Sequence, residues 1–487
     1  MKSPSASTTA AAQEAADSPD PGRWKTLAVI LAAAFIVALN FFVVNVSIPS
    51  IRANLRATFG EIQLVIAGYA LTYSVFLISG GRLGDIYGRK RMFMLGVTAF
   101  TTMSMLCGLA PSPVFLIAAR VLQGVSAALV FPQVLAIIQV TFPPRERAKA
   151  FGLFGTVIGI SSFAGNVLGG LLVSANIFGL SWRPIFLINL PVGLLTLMAA
   201  ARIVKESRSP KAGRLDLGGV AILTLALTLL LYPLIQGREA GWPAWAFVCL
   251  AAFVPMLFVF VQYEKRVTAS GGSPLVELDL FHDRVFVIGL FSAMCFFSAV
   301  SAFFLISTIF LQNGLGYSPR DAGLTFAWFA IAFLGSSLAS VRIQPKLGSR
   351  IINLGAALMI TGLTSLLFLT AWRGASLGGL ELAPVLLIYG AGQGFAMPTL
   401  VSTILINIKG HDAGSASGVL TTVQQASFAT GVAVIGTVFF SVLGKMTSTE
   451  AFIHALRAAF YVNIALLTVN FVLILQIPRF PARDGVR

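Results

Sequence analysis

The densest group of chemically capable residues in this chain of 487 is the run Gly81-Arg82-Leu83-Gly84-Asp85-Ile86-Tyr87-Gly88-Arg89-Lys90-Arg91. A single carboxylate stands there among four bases. Gly84 and Gly88 present no Cβ, so they allow a tight reversal and a close approach by another helix. Asp85 can pair locally with Arg89, or it can meet the positive N-terminal end of a neighbouring helix. Gly81, Gly84, Asp85, Gly88, Arg89 and Arg91 are therefore candidate gating residues. The plain alternative is a solvated basic loop.

A second group lies inside apolar runs. Arg120 sits within such a run, where a basic side chain costs about 2.5–3.5 kcal/mol on insertion scales and normally faces a polar cavity or partner; a boundary position with the head group snorkelling to water is the alternative. The amides Asn40, Asn45, Gln123, Gln133, Asn166, Gln424 and Gln425 are candidates for a polar cavity, although intramembrane amides also join helices to one another. Phe41 and Phe131 are candidates for an apolar lining. Gly152, Gly165, Gly169 and Gly170 recur at spacings that let helices pack with their backbones close.

Other chemistries are excluded. Gly390-Ala391-Gly392-Gln393-Gly394 follows no strand, so it is not a dinucleotide loop, and Gly444-Lys445 is followed by Met446 rather than Ser or Thr, which removes a phosphate-binding loop. His282, His411 and His454 lie apart, and Cys107, Cys249 and Cys295 have no metal or disulfide spacing, so no metal and no cofactor is expected. No convergent acid, base or nucleophile points to an enzyme. The acids lie at the ends of apolar runs or between them, and none falls near the middle of one. A lipophilic cation in a low-dielectric cavity needs a buried counter-charge. A neutral or anionic substrate is therefore expected.

The elements that must position these groups are membrane helices. Of all residues 57% are apolar and 11% are charged, against roughly a quarter charged in soluble domains. Apolar runs of about 20 residues recur almost end to end, too long and too uniform for barrel strands. Fourteen spans are expected between residues 25 and 476, in an all-α membrane protein. The net charge of +16 comes from bases clustered in short connections, which argues for topology signals rather than a nucleic-acid partner. With fourteen spans, 25 of the 34 Lys and Arg fall on the side of the termini and 8 on the other, which places both termini in the cytoplasm. Residues 1–22 have no apolar core and read as a disordered tail rather than a signal peptide.

An internal repeat orders the spans. Ala150, Gly152, Thr156, Val157, Gly165 and Gly170 meet Ala416, Gly418, Thr422, Val423, Gly431 and Gly436 at one constant offset of 266 residues. Spans five and thirteen are then equivalents, and the repeat unit is six helices plus two inserted ones. The expected organisation is a tail at 1–24, a six-helix bundle at 25–204, a linker with two extra helices at 205–284, a second bundle at 285–477 and a cytoplasmic tail at 478–487. Two related bundles around a central path suit a transporter that works by alternating access on a small molecule, as a monomer in the lipid of the cell membrane.

The chain resembles the major facilitator superfamily, specifically its fourteen-helix drug:proton antiporter branch. Residues 81–91 are similar to that family's signature Gly-x-Leu-x-Asp-x-x-Gly-Arg-Lys, Arg120-Val121-Leu122-Gln123-Gly124 to its fourth-span motif, and Trp182-Arg183-Pro184-Ile185-Phe186 with Asn189 and Pro191 to its sixth-span entry. The resemblance implies export of small amphipathic drugs or metabolites in exchange for protons. It further implies that Asp85 contacts the cytoplasmic end of span thirteen and holds the outward-facing state, and that Arg120 helps couple proton movement. Three positions depart from the pattern, one of them Phe42 in the place of the family's Thr. Asn40 stands where the family places an intramembrane Asp, and Asn166 where it places the Pro of an export-linked Gly-Pro pair. The competing readings are a facilitative or uptake carrier and, from another class, a membrane sensor.

Overall fold

The computed structural model describes residues 21–209, 215–237, 240–444 and 446–477; the side chains of a few helical positions within them, including Phe41, Asn45 and Asn166, are outside the description. The expected tails therefore fall largely outside the described residues. The described chain is built of long helices: α1 (Arg23–Leu55), α2 (Phe59–Tyr87), α3 (Arg89–Gly108), α4 (Pro113–Thr141), α5 (Pro144–Ala175), α6 (Asn189–Ile203), α7 (Leu217–Gln236), α8 (Ala244–Ala269), α9 (Arg284–Ile309), α10 (Pro319–Leu347), α11 (Arg350–Arg373), α12 (Gly379–Ile404), α13 (Ala413–Leu443) and α14 (Thr449–Leu475).

Local chemistry sets their ends. Thr58 and Glu61 form a reciprocal capping box at α2. Ser112, Asp216, Asp283, Ser318 and Ser448 accept backbone N–H bonds at the starts of α4, α7, α9, α10 and α14. Pro113, Pro144 and Pro319 occupy first-turn positions, where a missing N–H is harmless. Ahead of α6 the chain makes a short helical turn, Pro184–Leu187, which buries Trp182 and aims Arg183 at the carbonyls of Gly108 (3.0 Å) and Ala110 (2.9 Å) at the end of α3. A guanidinium there satisfies carbonyls that have no intrahelical partner.

Twelve helices among the described residues are long and apolar enough to cross a membrane, against the expected fourteen. The difference lies in α3 and α5. Helix α3 opens on Arg89-Lys90-Arg91 and carries Thr98, Thr101, Thr102 and Ser104, which dilute its apolarity, and α5 contributes only the shorter apolar stretch Lys149–Ser161. The chain is nonetheless an all-helical, multi-pass membrane protein.

Helices α1–α6 pack among themselves, chiefly α2 on α4, α1 on α5 and α3 on α4. Helices α9–α14 do likewise, chiefly α10 on α12, α11 on α12 and α9 on α13. The two groups meet where α2 packs on α13 and α5 on α10. Helices α7 and α8 pack on each other, and α7 alone of the two makes substantial contact with α2 and α13. Helix α8 is exposed along most of its length.

Candidate functional site

The close approach of α2 and α13 follows from glycine. A methyl group on Gly81 would overlap the carbonyl oxygen of Gly414, and one on Gly418 would come within 2.8 Å of the Ile78 Cα. Without Cβ atoms at these positions the two backbones touch, and Asp85, one turn beyond Gly81 on α2, is buried beside that contact. Asp85 is 0% exposed. Its Oδ1 accepts from Arg89 Nη2 at 2.6 Å and from the Gly414 N–H at 3.3 Å, and its Oδ2 accepts from the Ser415 N–H at 3.1 Å. Asp85 thus does both things its type allows: it pairs one helical turn on, and it receives the free N–H groups at the start of α13, where the helix dipole favours an anion. Arg89 also donates to the Gly410 carbonyl at 2.7 Å, so one ion pair spans both groups of helices.

The neighbouring glycines serve other contacts. Gly84 lies against the Gln133 amide, whose Nε2 donates to the Gly80 carbonyl at 2.7 Å and ties α4 to α2. Gly88, at φ 106°, turns the chain in the left-handed region and leaves room for the Glu206 carboxylate. Arg91 is exposed and 3.8 Å from Glu206.

A second strut joins the groups. Gln139 Nε2 donates to the carbonyls of Leu405 (2.7 Å) and Ile408 (3.2 Å) beyond the end of α12. On the α5–α10 side, Thr156 and Ser337 hydroxyls are 2.9 Å apart, Ser337 reaches the Gly152 carbonyl at 3.2 Å, and Gly155 and Gly159 lie against Pro398 and Phe333. Gly152 itself faces Val341, and Gly165 and Gly169 are buried with Gly170 half-buried.

Arg120 occupies a separate cage between α1, α2, α3 and α4 and is 1% exposed. Its Nη1 donates to Asn40 Oδ1 at 2.6 Å and to Gln123 Oε1 at 2.7 Å, and its Nε donates to the Val65 carbonyl at 3.1 Å. The guanidinium lies 4.1 Å from the centre of the Tyr69 ring, a cation–π contact that suits a desolvated cation. Around it Gln123 Nε2 donates to Ser104 Oγ at 2.6 Å, and Asn189 Nδ2 reaches the same hydroxyl at 3.1 Å. Among the described residues no carboxylate is a partner of Arg120. The Asn40 Nδ2 is buried without a hydrogen-bond partner.

Asn40, Gln123 and Arg120 are thus brought together, whereas Gln133 lies against Gly84 and ties α4 to α2. Gln424 (buried) and Gln425 (half-buried) lie on α13, in the other group of helices, with no protein hydrogen bond to either amide among the described residues. The side chains of Asn45 and Asn166 lie outside the described ones. Phe131 packs edge-on against Tyr73 and Phe154.

The sequence reading passed over Arg82, Gln139, Tyr69, Ser104 and Gly414. For Gly414 a signal existed: Gly414-Ser415-Ala416-Ser417-Gly418 is a run of small residues at a helix start, the composition of a backbone contact. Arg82 is buried and meets Glu277, in the segment between α8 and α9, at 3.4 Å. Burial raises the Glu277 carboxyl above its ordinary range, and the Arg82 guanidinium opposes that shift. At the start of α5, Arg23 holds the Glu146 carboxyl below its ordinary range through hydrogen bonds of 2.6 and 2.9 Å, which tie α1 to α5.

Comparison with known proteins shows the family of the chain. The family model described as Major Facilitator Superfamily matches residues 30–432. A "Probable actinorhodin transporter" of Streptomyces coelicolor is 42% identical over 441 residues, 90% of this chain and 76% of that protein. A puromycin resistance protein of Streptomyces alboniger is 34% identical over 489 residues, covering 96% and 94%. A cephamycin export protein of Amycolatopsis lactamdurans is 36% identical over 427 residues, 85% of each. Among solved structures, the human organic anion transporter TETRAN superposes with a TM-score of 0.66 at 16% identity, over 93% of this chain and all of that one. A proton:xylose symporter superposes at 0.68 with 14% identity, over 96% and 98%. At such identities the structures speak for the fold alone. A helical chain whose two groups of six helices meet across glycine contacts, matched by the family model over most of its length, is a membrane transporter rather than an enzyme, and it belongs to the major facilitator superfamily.

Proposed function

We propose that this protein exports small amphipathic natural products, of the kind handled by antibiotic export and resistance proteins, in exchange for protons across the cell membrane. It does so as a monomer with fourteen spans, both termini in the cytoplasm, and two six-helix bundles joined by a linker that carries α7 and α8. Rocking of α1–α6 against α9–α14 would alternate access to a site between them. In this reading Asp85, with Gly81, Gly84, Gly88, Arg89 and Arg91, forms the cytoplasmic gate. Asn40, Gln123 and Arg120 stand on the polar side of the path, with Gln424 and Gln425 opposite.

The observation that carries the substrate class is the Arg120 cage. Asn40, at the position where the family pattern has an acid, accepts directly from the guanidinium at 2.6 Å. With an amide there, the buried positive charge has no anionic partner, so an anionic or neutral substrate is favoured and a multivalent cation is repelled. The names of the relatives support export, and Asp85 and Arg120 are the groups proposed to answer to the proton gradient. A facilitative carrier is the second reading, favoured by the same loss of an intramembrane carboxylate.

Reconstituted vesicles with a panel of anionic, neutral and quaternary ammonium aromatic compounds test this directly. Anionic and neutral compounds are expected to move, faster with a pH gradient, and Asn40→Asp is expected to improve handling of the cation by neutralising Arg120. Gradient-driven transport of the cation by the unaltered protein would overturn the charge argument. Transport indifferent to the gradient would favour the facilitative reading.

A further inference from the structure

The segment that connects the two groups of helices, residues 204–284, returns to the gate at both ends. At its entry, Glu206 places its carboxylate on the start of α3: Oε1 accepts from the Lys90 N–H at 3.0 Å and Oε2 from the Arg91 N–H at 3.2 Å. A helix start has N–H groups with no intrahelical partner, and here their acceptor comes from a distant part of the chain. Gly88 is what admits it, because a Cβ there would lie 2.6 Å from the Glu206 carboxyl group. The backbone continues the contact. The Arg89 N–H donates to the Ser207 carbonyl at 2.8 Å, and the Ser209 N–H donates to the carbonyl of Asp85 at 3.0 Å. Lys90 Nζ donates to the Ala201 carbonyl at 2.8 Å at the end of α6. At the exit of the segment, Glu277 meets the buried Arg82, Val276 donates its N–H to Glu264 at 3.3 Å, and Asp283 accepts from Asn407 of the second group at 2.9 Å.

Every residue touched at the entry flanks or includes the gate pair. The contacts fix the backbone of Asp85 and Arg89, whose side chains in turn reach Gly410, Gly414 and Ser415. We propose that the two ends of the connecting segment form a clasp on the α2–α3 turn, with Glu206 as a positioning residue that sets Asp85 and Arg89 against α13 and so favours the state closed at that end. This rests on the alternating-access reading above. It assigns the linker a part in gating that its length and basic character alone do not suggest.

The clasp can be read without any substrate. Spin labels at Lys149→Cys on α5 and Leu347→Cys on α10, both exposed and remote from the clasp, report the separation of the two groups in full-length protein whose native cysteines have been replaced. Glu206→Ala is expected to lower the ratio of short-distance to long-distance populations about tenfold, equivalent to about 1.4 kcal/mol, and to speed hydrogen exchange of the Lys90 and Arg91 amides. Glu206→Gln retains one carbonyl acceptor and should fall between the two. It also carries the test should the alanine variant fail to fold. An unchanged distance distribution in both variants, with exchange at Lys90 and Arg91 accelerated, would reduce Glu206 to a local helix cap and overturn the proposal. Because neither readout involves transport, a wrong substrate or direction would leave this result unaffected.

Discussion

At the scale of single residues, the contact between α2 and α13 centres on one carboxylate with partners on both sides. Asp85 is held by a guanidinium of its own segment and by two N–H groups of α13, each a charge-assisted bond worth about 1.5–3 kcal/mol. Replacing Asp85 by Asn keeps the shape and removes the charge, so all three bonds weaken and Arg89 is left buried without its anion. Asp85→Asn is expected to destabilise the closed contact by about 1.5–3 kcal/mol. The reactivity of Ser415→Cys, buried in this state, toward a thiol reagent measures this, and should rise in the variant. Unaltered reactivity would mean that α2 and α13 hold together without Asp85. Arg120 shows the opposite economy. Among the described residues it has amide, carbonyl and aromatic partners and no acid, so its charge is solvated by the protein and not cancelled.

At the scale of helices, small residues decide which elements touch. Association of helices in lipid has little hydrophobic drive, so close packing and interhelical hydrogen bonds carry it. The repeat expected between α5 and α13 would make two observed contacts equivalent: α2 packs on α13, and α5 packs on α10. If α10 and α13 are the equivalents of α2 and α5, these are the same contact made twice about a pseudo-two-fold axis. Gly81 sits where the first is tightest. Gly81→Ala puts a methyl group onto the Gly414 carbonyl, and nothing but backbone movement can relieve that overlap. The variant is expected to fold, since α2 still packs on α4, and to lose at least tenfold in transport rate while its cysteine reporter at Ser415 becomes reactive. Normal transport by Gly81→Ala would show that the groups separate at this point throughout the cycle.

At the scale of the whole molecule, charge distribution sets the orientation proposed here. Bases concentrate in the connections after α2, α4, α6, α8 and α10, at the same end of the helices as Asp85 and Arg89. Reporter tags fused to the two ends are expected to be on the same, cytoplasmic face. Tags on opposite faces would contradict both the even number of spans and the assignment of the gate to the cytoplasmic side. Helices α7 and α8 stand outside the paired groups, with α8 largely exposed, so lipid is the natural environment of its apolar side chains.

What the sequence determined by itself was the class of molecule. Runs of apolar residues without internal acids leave a chain few choices, because unpaired backbone groups in hydrocarbon must be satisfied within a helix. The contact made by Asp85 was legible for a related reason: glycine, aspartate and arginine at fixed spacing have few joint uses at the end of a span. Span counting was less secure at α3 and α5, where threonine, serine and glycine lower the apolarity of helices that pack against protein. Only the tertiary structure decided which partners each polar residue takes. Nothing in the order of residues announced that Asn40 would lie beside Arg120, 80 positions away, that Gln133 would bond to the Gly80 carbonyl, or that Glu206 would cap a helix begun at Arg89. Those pairings depend on how helices far apart in the chain are rotated and offset against one another. That is fixed by the sum of many small packing contacts rather than by any local pattern.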